Sequence, residues 1–238
     1  QYTPQTPLVQ REPVFIVPSW IMKFYILDLS PDNSLVKYLV EQGHTVFIVS
    51  WRNPDASDAL MDMHDYLALG VFNPLAVITE RTGGVPIHTM GYCLGGTLLA
   101  IGVSALSRPQ QVKDAQHIAP IASMSLLAAQ IDFHDAGELG VFLDEAQVSF
   151  LEDLMAEKGF LSGTQMAKSF EYLRARDLFW SARVREYWLG KPEVPNDLMS
   201  WNADVTRMPA AMHSEYLHKF YLHNALALGQ YEVDDVPV

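Results

Sequence analysis

An α/β architecture built on a mostly parallel sheet is predicted by three observations in this chain. Short runs rich in Val, Ile and Phe recur at 14–17 and 45–51, as buried parallel strands do, and a further strand is read over 86–90. Stretches with helical spacing lie between them, so strand and helix alternate. At one strand-to-helix junction stands Gly91-Tyr92-Cys93-Leu94-Gly95-Gly96, glycine-rich as a sharp turn requires.

Taken in order, Val14-Phe15-Ile16-Val17 is a continuous apolar run and predicts a strand covered on both faces. An apolar loop follows to Leu29. Ser30-Pro31 predicts an N-cap followed by Pro at the first helical position. Leu35, Val36, Leu39 and Val40 then fall on one helical face, and Gly43 ends the helix. Thr45 to Trp51 is the second strand, and the strand-helix-strand unit implies a right-handed crossover. Residues 52–58 are a turn-rich loop. A helical stretch runs over 59–81, interrupted at Gly70 and Pro74 and ended by Thr82-Gly83-Gly84. The strand before Cys93 follows, then a helix from Thr97 to about Ser107, and a fourth strand over 122–129 that ends near Asp132.

After Asp135 the pattern changes. Over 144–158, Val148, Leu151, Leu154 and Met155 lie opposite Glu145, Glu152, Asp153 and Glu157, an amphipathic helix. Further helices are predicted over 163–173 and 211–228, with an aromatic-rich stretch over 178–189 between them. Strand character returns in the last few residues. The expected organisation is a core over 1–134, a helical cap over 135–228, and the start of a return to the core sheet over 229–238.

Composition narrows the function classes. Hydrophobic residues make up 49% of 238, enough for one sizeable core. A net charge of -12 argues against nucleic acid as a partner. One cysteine excludes an internal disulfide and any multi-cysteine metal site, and fits a reducing, cytoplasmic setting. No apolar run approaches the ~18 residues of a membrane span. No signal peptide opens the chain. It does not begin with Met, and both ends are expected to be cuts in a longer polypeptide, with the last strands of the sheet missing. His213, His218 and His223 recur every five residues, off the i, i+4 spacing of a helical metal pair, so no metal site is expected.

The G-x-C-x-G pattern at Cys93 matches a nucleophile elbow with sulfur in place of the serine oxygen, and so predicts an α/β-hydrolase fold. A thiolate there is suited to acyl transfer through a thioester. Asp132 and His134 follow the nucleophile in the right order for a triad, but lie two residues apart; Asp132 is expected instead to order the junction between sheet and cap. His88 is expected to pack against a helix, and His44 to be a polar residue beside the Gly43 turn.

Several segments together resemble the class I polyhydroxyalkanoate synthase family. They are Tyr25-Ile26-Leu27-Asp28-Leu29, Glu41-Gln42-Gly43-His44-Thr45-Val46-Phe47 with Val49-Ser50-Trp51-Arg52-Asn53-Pro54, the Cys93 motif, Phe142-Leu143-Asp144-Glu145, Leu173-Arg174-Ala175-Arg176-Asp177-Leu178 and Trp201-Asn202-Ala203-Asp204. Met22 departs from the family's asparagine, and Ala175-Arg176 from its common Pro-Asn. The resemblance implies polymerisation of (R)-3-hydroxyacyl-CoA with release of CoA. The acyl chains would be short, and Cys93 would carry the acyl group as a thioester. It implies no cofactor beyond the thioester substrate, a homodimer, and association with the polyester granule surface in the cytoplasm. The family's acid and base lie beyond the end of this chain, so the chain alone is expected to be inactive. The Leu94 backbone N–H is the expected first oxyanion donor, and the loop after the first strand, at Ile21, the second. Two alternatives stand beside this: a cysteine hydrolase of the dienelactone-hydrolase type, and a non-catalytic interaction domain.

Overall fold

The computed structural model describes residues 1–108, 110–113, 117–163, 165, 187–188, 190 and 197–238. Val14–Val17 forms β1, with all four side chains buried. The loop after it carries a 3-10 turn (Phe24–Leu27) and a small antiparallel ribbon, β2 (Asp28–Ser30) with β3 (Asn33–Ser34). Helix α1 (Leu35–Glu41) follows, capped by Ser34, whose hydroxyl accepts from the Lys37 N–H at 2.8 Å. The expected cap, Ser30, lies in the ribbon instead, and Pro31 makes its turn. The cap shifts because Ser34 has the extended backbone a cap needs and sits three residues before Lys37. Its hydroxyl also donates to Asp28, which accepts from Tyr2 as well, so ribbon, cap and N-terminal segment are tied at one carboxylate.

After β4 (Val46–Ile48) comes a long helical rod rather than an interrupted one. It runs through α2 (Met63–Leu67), a π-helical turn (Ala68–Phe72) and α3 (Asn73–Thr82). Pro74 has no N–H and would clash with the carbonyl four residues back in a regular α-helix. The wider turn before it, with Asn73 N–H on Ala68 C=O, carries the rod past that point. Gly70 lets the rod approach the Trp51 ring, since a Cβ there would stand 2.0 Å from it. Gly83, at φ 71°, closes the rod as predicted.

β5 (Ile87–Tyr92), α4 (Leu94–Ala105) and β6 (Ile121–Leu127) complete the central sheet, whose order is β4-β1-β5-β6 with all neighbours parallel. Side chains of β1 alternate between two cores. Val14 and Ile16 pack with Val36 and Val40 of α1 on one face, while Phe15 and Val17 pack toward the rod and α4 on the other. β6 stands differently: Met124, Leu126 and Leu127 are exposed.

Helix α5 (Glu145–Ala156) is capped by Asp144 and buries Val148 and Met155, whereas Leu154, expected on the same face, is exposed. β7 (Phe160–Leu161) pairs with β8 (Met208–Pro209) in an antiparallel ribbon that no alternating pattern announces. Between them lies α6 (Asp197–Ala203). Helix α7 (Ala210–Glu215) continues directly into a second π-helical segment (Tyr216–Leu222). The chain ends in β9 (Glu232–Val233) and β10 (Val236–Pro237), which pair with each other across Asp234 and Asp235, not with the central sheet. The helix predicted over 163–173 and the aromatic stretch over 178–189 fall almost wholly outside the described residues. Among the described residues no helix is long and apolar enough to cross a membrane.

Candidate active site

β5 delivers the chain to Cys93 at the carboxyl edge of the sheet, and α4 begins at the very next residue. The turn is therefore sharper than the sequence suggests, where the helix was expected from Thr97. Cys93 takes φ 53° and ψ -129°. A side chain at such a φ costs on the order of 1–3 kcal/mol and persists only where its surroundings hold it. They do so here: Cys93 N–H donates to Leu127 C=O at 2.9 Å, and Cys93 C=O accepts from Gly96 N–H at 2.8 Å.

The glycines around Cys93 mark three close approaches of backbone. A Cβ on Gly91 would stand 2.3 Å from Gly96 Cα, which joins the strand to the helix. On Gly95 it would stand 2.3 Å from Val17 O and 2.4 Å from Pro18 O, so the loop after β1 crosses directly over the start of α4. On Gly96 it would stand 2.5 Å from the Ala129 Cβ, just beyond β6.

That crossing loop is clamped from outside. Trp51 Nε1–H donates to Pro18 C=O at 2.9 Å, Thr206 N–H to Ile21 C=O at 3.2 Å, and Trp201 Nε1–H to Lys23 C=O at 2.8 Å. The Thr206 hydroxyl also donates to Trp20 C=O, and Met22 bridges to Val205. Ile21 is buried with its carbonyl taken.

Burial pushes the Cys93 thiol pKa up, while the Leu94 N–H and the Ser19 hydroxyl pull it down. The amide expected to face an oxyanion is thus at the sulfur. Ser19 is buried, and its hydroxyl makes no hydrogen bond of ordinary geometry, yet it lies close enough to Cys93 to favour the thiolate. No local pattern points to Ser19, since what matters is the path of the loop across Gly95.

Aromatic residues roof the site. Trp20 meets Trp51, Tyr66 and Tyr216 edge to face. Phe133 stacks on Phe220 at 5.4 Å and meets Tyr216 and Tyr221 at 6.0 and 4.9 Å. Tyr216 and Tyr221 were not singled out from the sequence, although their five-residue spacing is visible there.

The histidines behave partly as expected. His218 and His223 do share a face, with rings parallel to within 19° and 6.4 Å apart, contrary to the expectation from α-helical spacing. Bonds in the π-helical segment span five residues, His223 N–H to His218 C=O for example, and bring residues five apart together. His218 pairs with Glu152 at 3.1 Å. His213 is buried against Met155, and burial lowers its pKa to about 4. His88 meets Ser123, its neighbour on β6, at 2.8 Å. The His44 ring is buried at Nδ1 without a partner there. Asp132 accepts from the His134 backbone and from the Asn224 side chain, whose oxygen accepts from Phe133 N–H. It therefore ties the segment after β6 to the end of the π-helical segment. Among the described residues no hydrogen bond joins Cys93 to a histidine, and no cluster of three His, Cys, Asp or Glu is arranged to hold a metal.

The family profile described as the N-terminus of poly-beta-hydroxybutyrate polymerase (PhaC) matches residues 1–39. A poly(3-hydroxyalkanoate) polymerase of Methylorubrum extorquens is 44% identical over 99% of this chain and 38% of its own length. The polymerase subunit PhaC of Rhizobium meliloti (strain 1021) is 43% identical over 97% of this chain and 36% of its own. That of Cupriavidus necator is 40% identical over 100% of this chain and 40% of its own. The chain thus spans about two-fifths of the length of these curated relatives. Among solved structures, MenH from S. aureus is similar at a TM-score of 0.44 and 13% identity, over 99% of this chain and 71% of that one. Along nearly its whole length, the chain is similar in sequence to poly(3-hydroxyalkanoate) polymerases.

Proposed function

We propose that this chain is the nucleophile-bearing part of an acyltransferase of α/β-hydrolase fold that polymerises (R)-3-hydroxyacyl-CoA into polyester. The observation that carries the reading is Cys93, held at positive φ between β5 and α4 with the Leu94 N–H on its sulfur. The relatives named as poly(3-hydroxyalkanoate) polymerases support it.

In the proposed step the Cys93 thiolate attacks the thioester carbonyl. The tetrahedral oxyanion accepts hydrogen bonds from the Leu94 N–H and, as second donor, the backbone of the loop at Ile21. The C–S bond to CoA breaks, CoA leaves as the thiol, and the acyl group stays on Cys93. One thioester replaces another, so little free energy is lost and the acyl group remains reactive toward the 3-hydroxyl of the next unit. Burial raises the Cys93 pKa, so a base must take the thiol proton. We assign the acid and the histidine base to sequence beyond Val238, which makes the chain alone inactive. The reaction needs no cofactor. Helices from 135–228 would cap the site, 229–238 would lead back to the sheet, and the whole protein would act as a homodimer at the granule surface.

A cysteine hydrolase would use the same elbow but hand the acyl group to water. The closely packed aromatic roof favours exclusion of water and hence the polymerase. Full-length protein incubated with 3-hydroxybutyryl-CoA should give insoluble polyester and free CoA, and Cys93→Ala should abolish both. Free 3-hydroxybutyrate as the product would establish the hydrolase instead.

A further inference from the structure

The two phenols of the roof are joined to each other. In the π-helical segment Tyr216 and Tyr221 fall on one face, their rings 5.2 Å apart and their hydroxyls 3.3 Å apart, with Tyr216 donating. Apolar rings wall them in: Tyr216 lies against Trp20 at 6.3 Å and Phe220 at 5.8 Å, and Tyr221 against Phe133 at 4.9 Å. Trp20 belongs to the loop that crosses over α4 beside Cys93, and Cys93 and Tyr221 pack on the same core. Burial raises both phenol pKa values, and charge on the Cys93 sulfur raises them further, so both hydroxyls feel the nucleophile.

Phenylalanine would fill the same space without placing two hydroxyls in an apolar wall, where a polar group is costly unless it is bonded. Tyr216 gives its proton to Tyr221. Among the described residues, the Tyr221 proton has no acceptor. The pair is thus a chain of two donors with one proton unspent, anchored at Tyr216 and packed on the same core as Cys93.

We infer that Tyr221, held in place by Tyr216, is a specificity-determining residue whose hydroxyl donates to the oxygen on the third carbon of the acyl group carried by Cys93. The Leu94 amide serves the thioester carbonyl, and the phenols, on a separate element, meet the next oxygen along the chain. The site would then favour 3-hydroxyacyl and 3-acyloxyacyl thioesters over plain acyl thioesters, because a plain chain leaves the half-buried Tyr221 donor unpaired. This rests on the proposed role of Cys93 as acyl carrier.

The test uses the full-length polymerase. The burst of CoA release is measured with 3-hydroxybutyryl-CoA and with butyryl-CoA, alongside intact-mass detection of the acyl adduct on Cys93. Tyr221→Phe should lower kcat/KM for the hydroxyacyl thioester by about 10-fold and change that for butyryl-CoA by less than about 2-fold. Tyr216→Phe, which frees Tyr221 from its anchor, should shift the ratio the same way by a smaller factor. An unchanged ratio in Tyr221→Phe, or equal losses on both substrates, overturns the inference. If unmutated protein forms no adduct on Cys93 with either substrate, the nucleophile assignment falls and this inference with it. An adduct with an unchanged ratio removes the phenol role alone.

Discussion

Cys93 has two sides, and they are built by different means. Below it, the elbow is a matter of backbone: three glycines let strand, helix and crossing loop approach within distances no Cβ allows. Above it, the roof is a matter of side chains, a set of aromatic rings meeting edge to face around a π-helical segment. A backbone device tolerates no substitution and has a short local signature. A side-chain device tolerates exchange among rings of similar size and leaves its signature scattered along the chain.

The comparison can be broken most directly at Gly95. Gly95→Val would drive side-chain atoms into the carbonyls of Val17 and Pro18, which belong to rigid backbone. We expect at least about 3 kcal/mol of destabilisation, or displacement of the loop. Gly83→Ala is the control. It has φ 71° but nothing within 4 Å, so only conformational strain of about 1 kcal/mol is expected. Denaturant midpoints of the two variants should differ accordingly, and equal shifts would contradict close approach as the reason for glycine at 95.

The roof side is sharpened by pH. His213, on the helix that runs into the roof, has its pKa lowered to about 4 by burial, against about 6.5 when unfolded. Between those values the unfolded chain holds a proton that the native one does not. Stability is therefore complete above pH about 6.5 and falls as pH drops toward 4, by at most about 3 kcal/mol. His213→Leu should flatten that slope in urea titrations run from pH 7 to 4.5. A wild-type profile already flat over that range would mean His213 is accessible to protons in the fold.

The smallest effect lies where the two sides meet, at Ser19. Iodoacetamide should alkylate Cys93 with a pH midpoint above that of a free cysteine, because burial outweighs the pull of the Leu94 N–H and the nearby Ser19 hydroxyl. Ser19→Ala removes one of the two groups favouring the thiolate, and should move the midpoint up by less than about one pH unit. A midpoint unchanged by Ser19→Ala would separate that hydroxyl from the thiol.

How much was legible in advance follows from the same contrast. The strand at 14–17, the helix stop at Gly43 and the strand-to-helix turn at Cys93 are legible in the sequence because each is decided by residues within a few positions. The α1 cap lies at Ser34 and not at Ser30: both offer similar local chemistry, and the extended backbone of Ser34, held by its bond to Asp28 in the ribbon, decides between them. The rod over 63–82 was expected to break at Pro74, but a register change carries it through. The same change in register paired His218 with His223, a pairing the α-helical period had argued against.

By itself the sequence determined the alternation of strand and helix, the place of the glycine-rich turn at Cys93 and the similarity to poly(3-hydroxyalkanoate) polymerases, because hydrophobic period and glycine act locally and identity is counted position by position. The tertiary structure alone decided which residues surround Cys93. Ser19 reaches Cys93 because a loop crosses a glycine 76 positions further on. Tyr216 and Tyr221 reach each other because packing selects a π-helical turn, whose backbone bonds are weaker locally and persist where the aromatic contacts around them compensate.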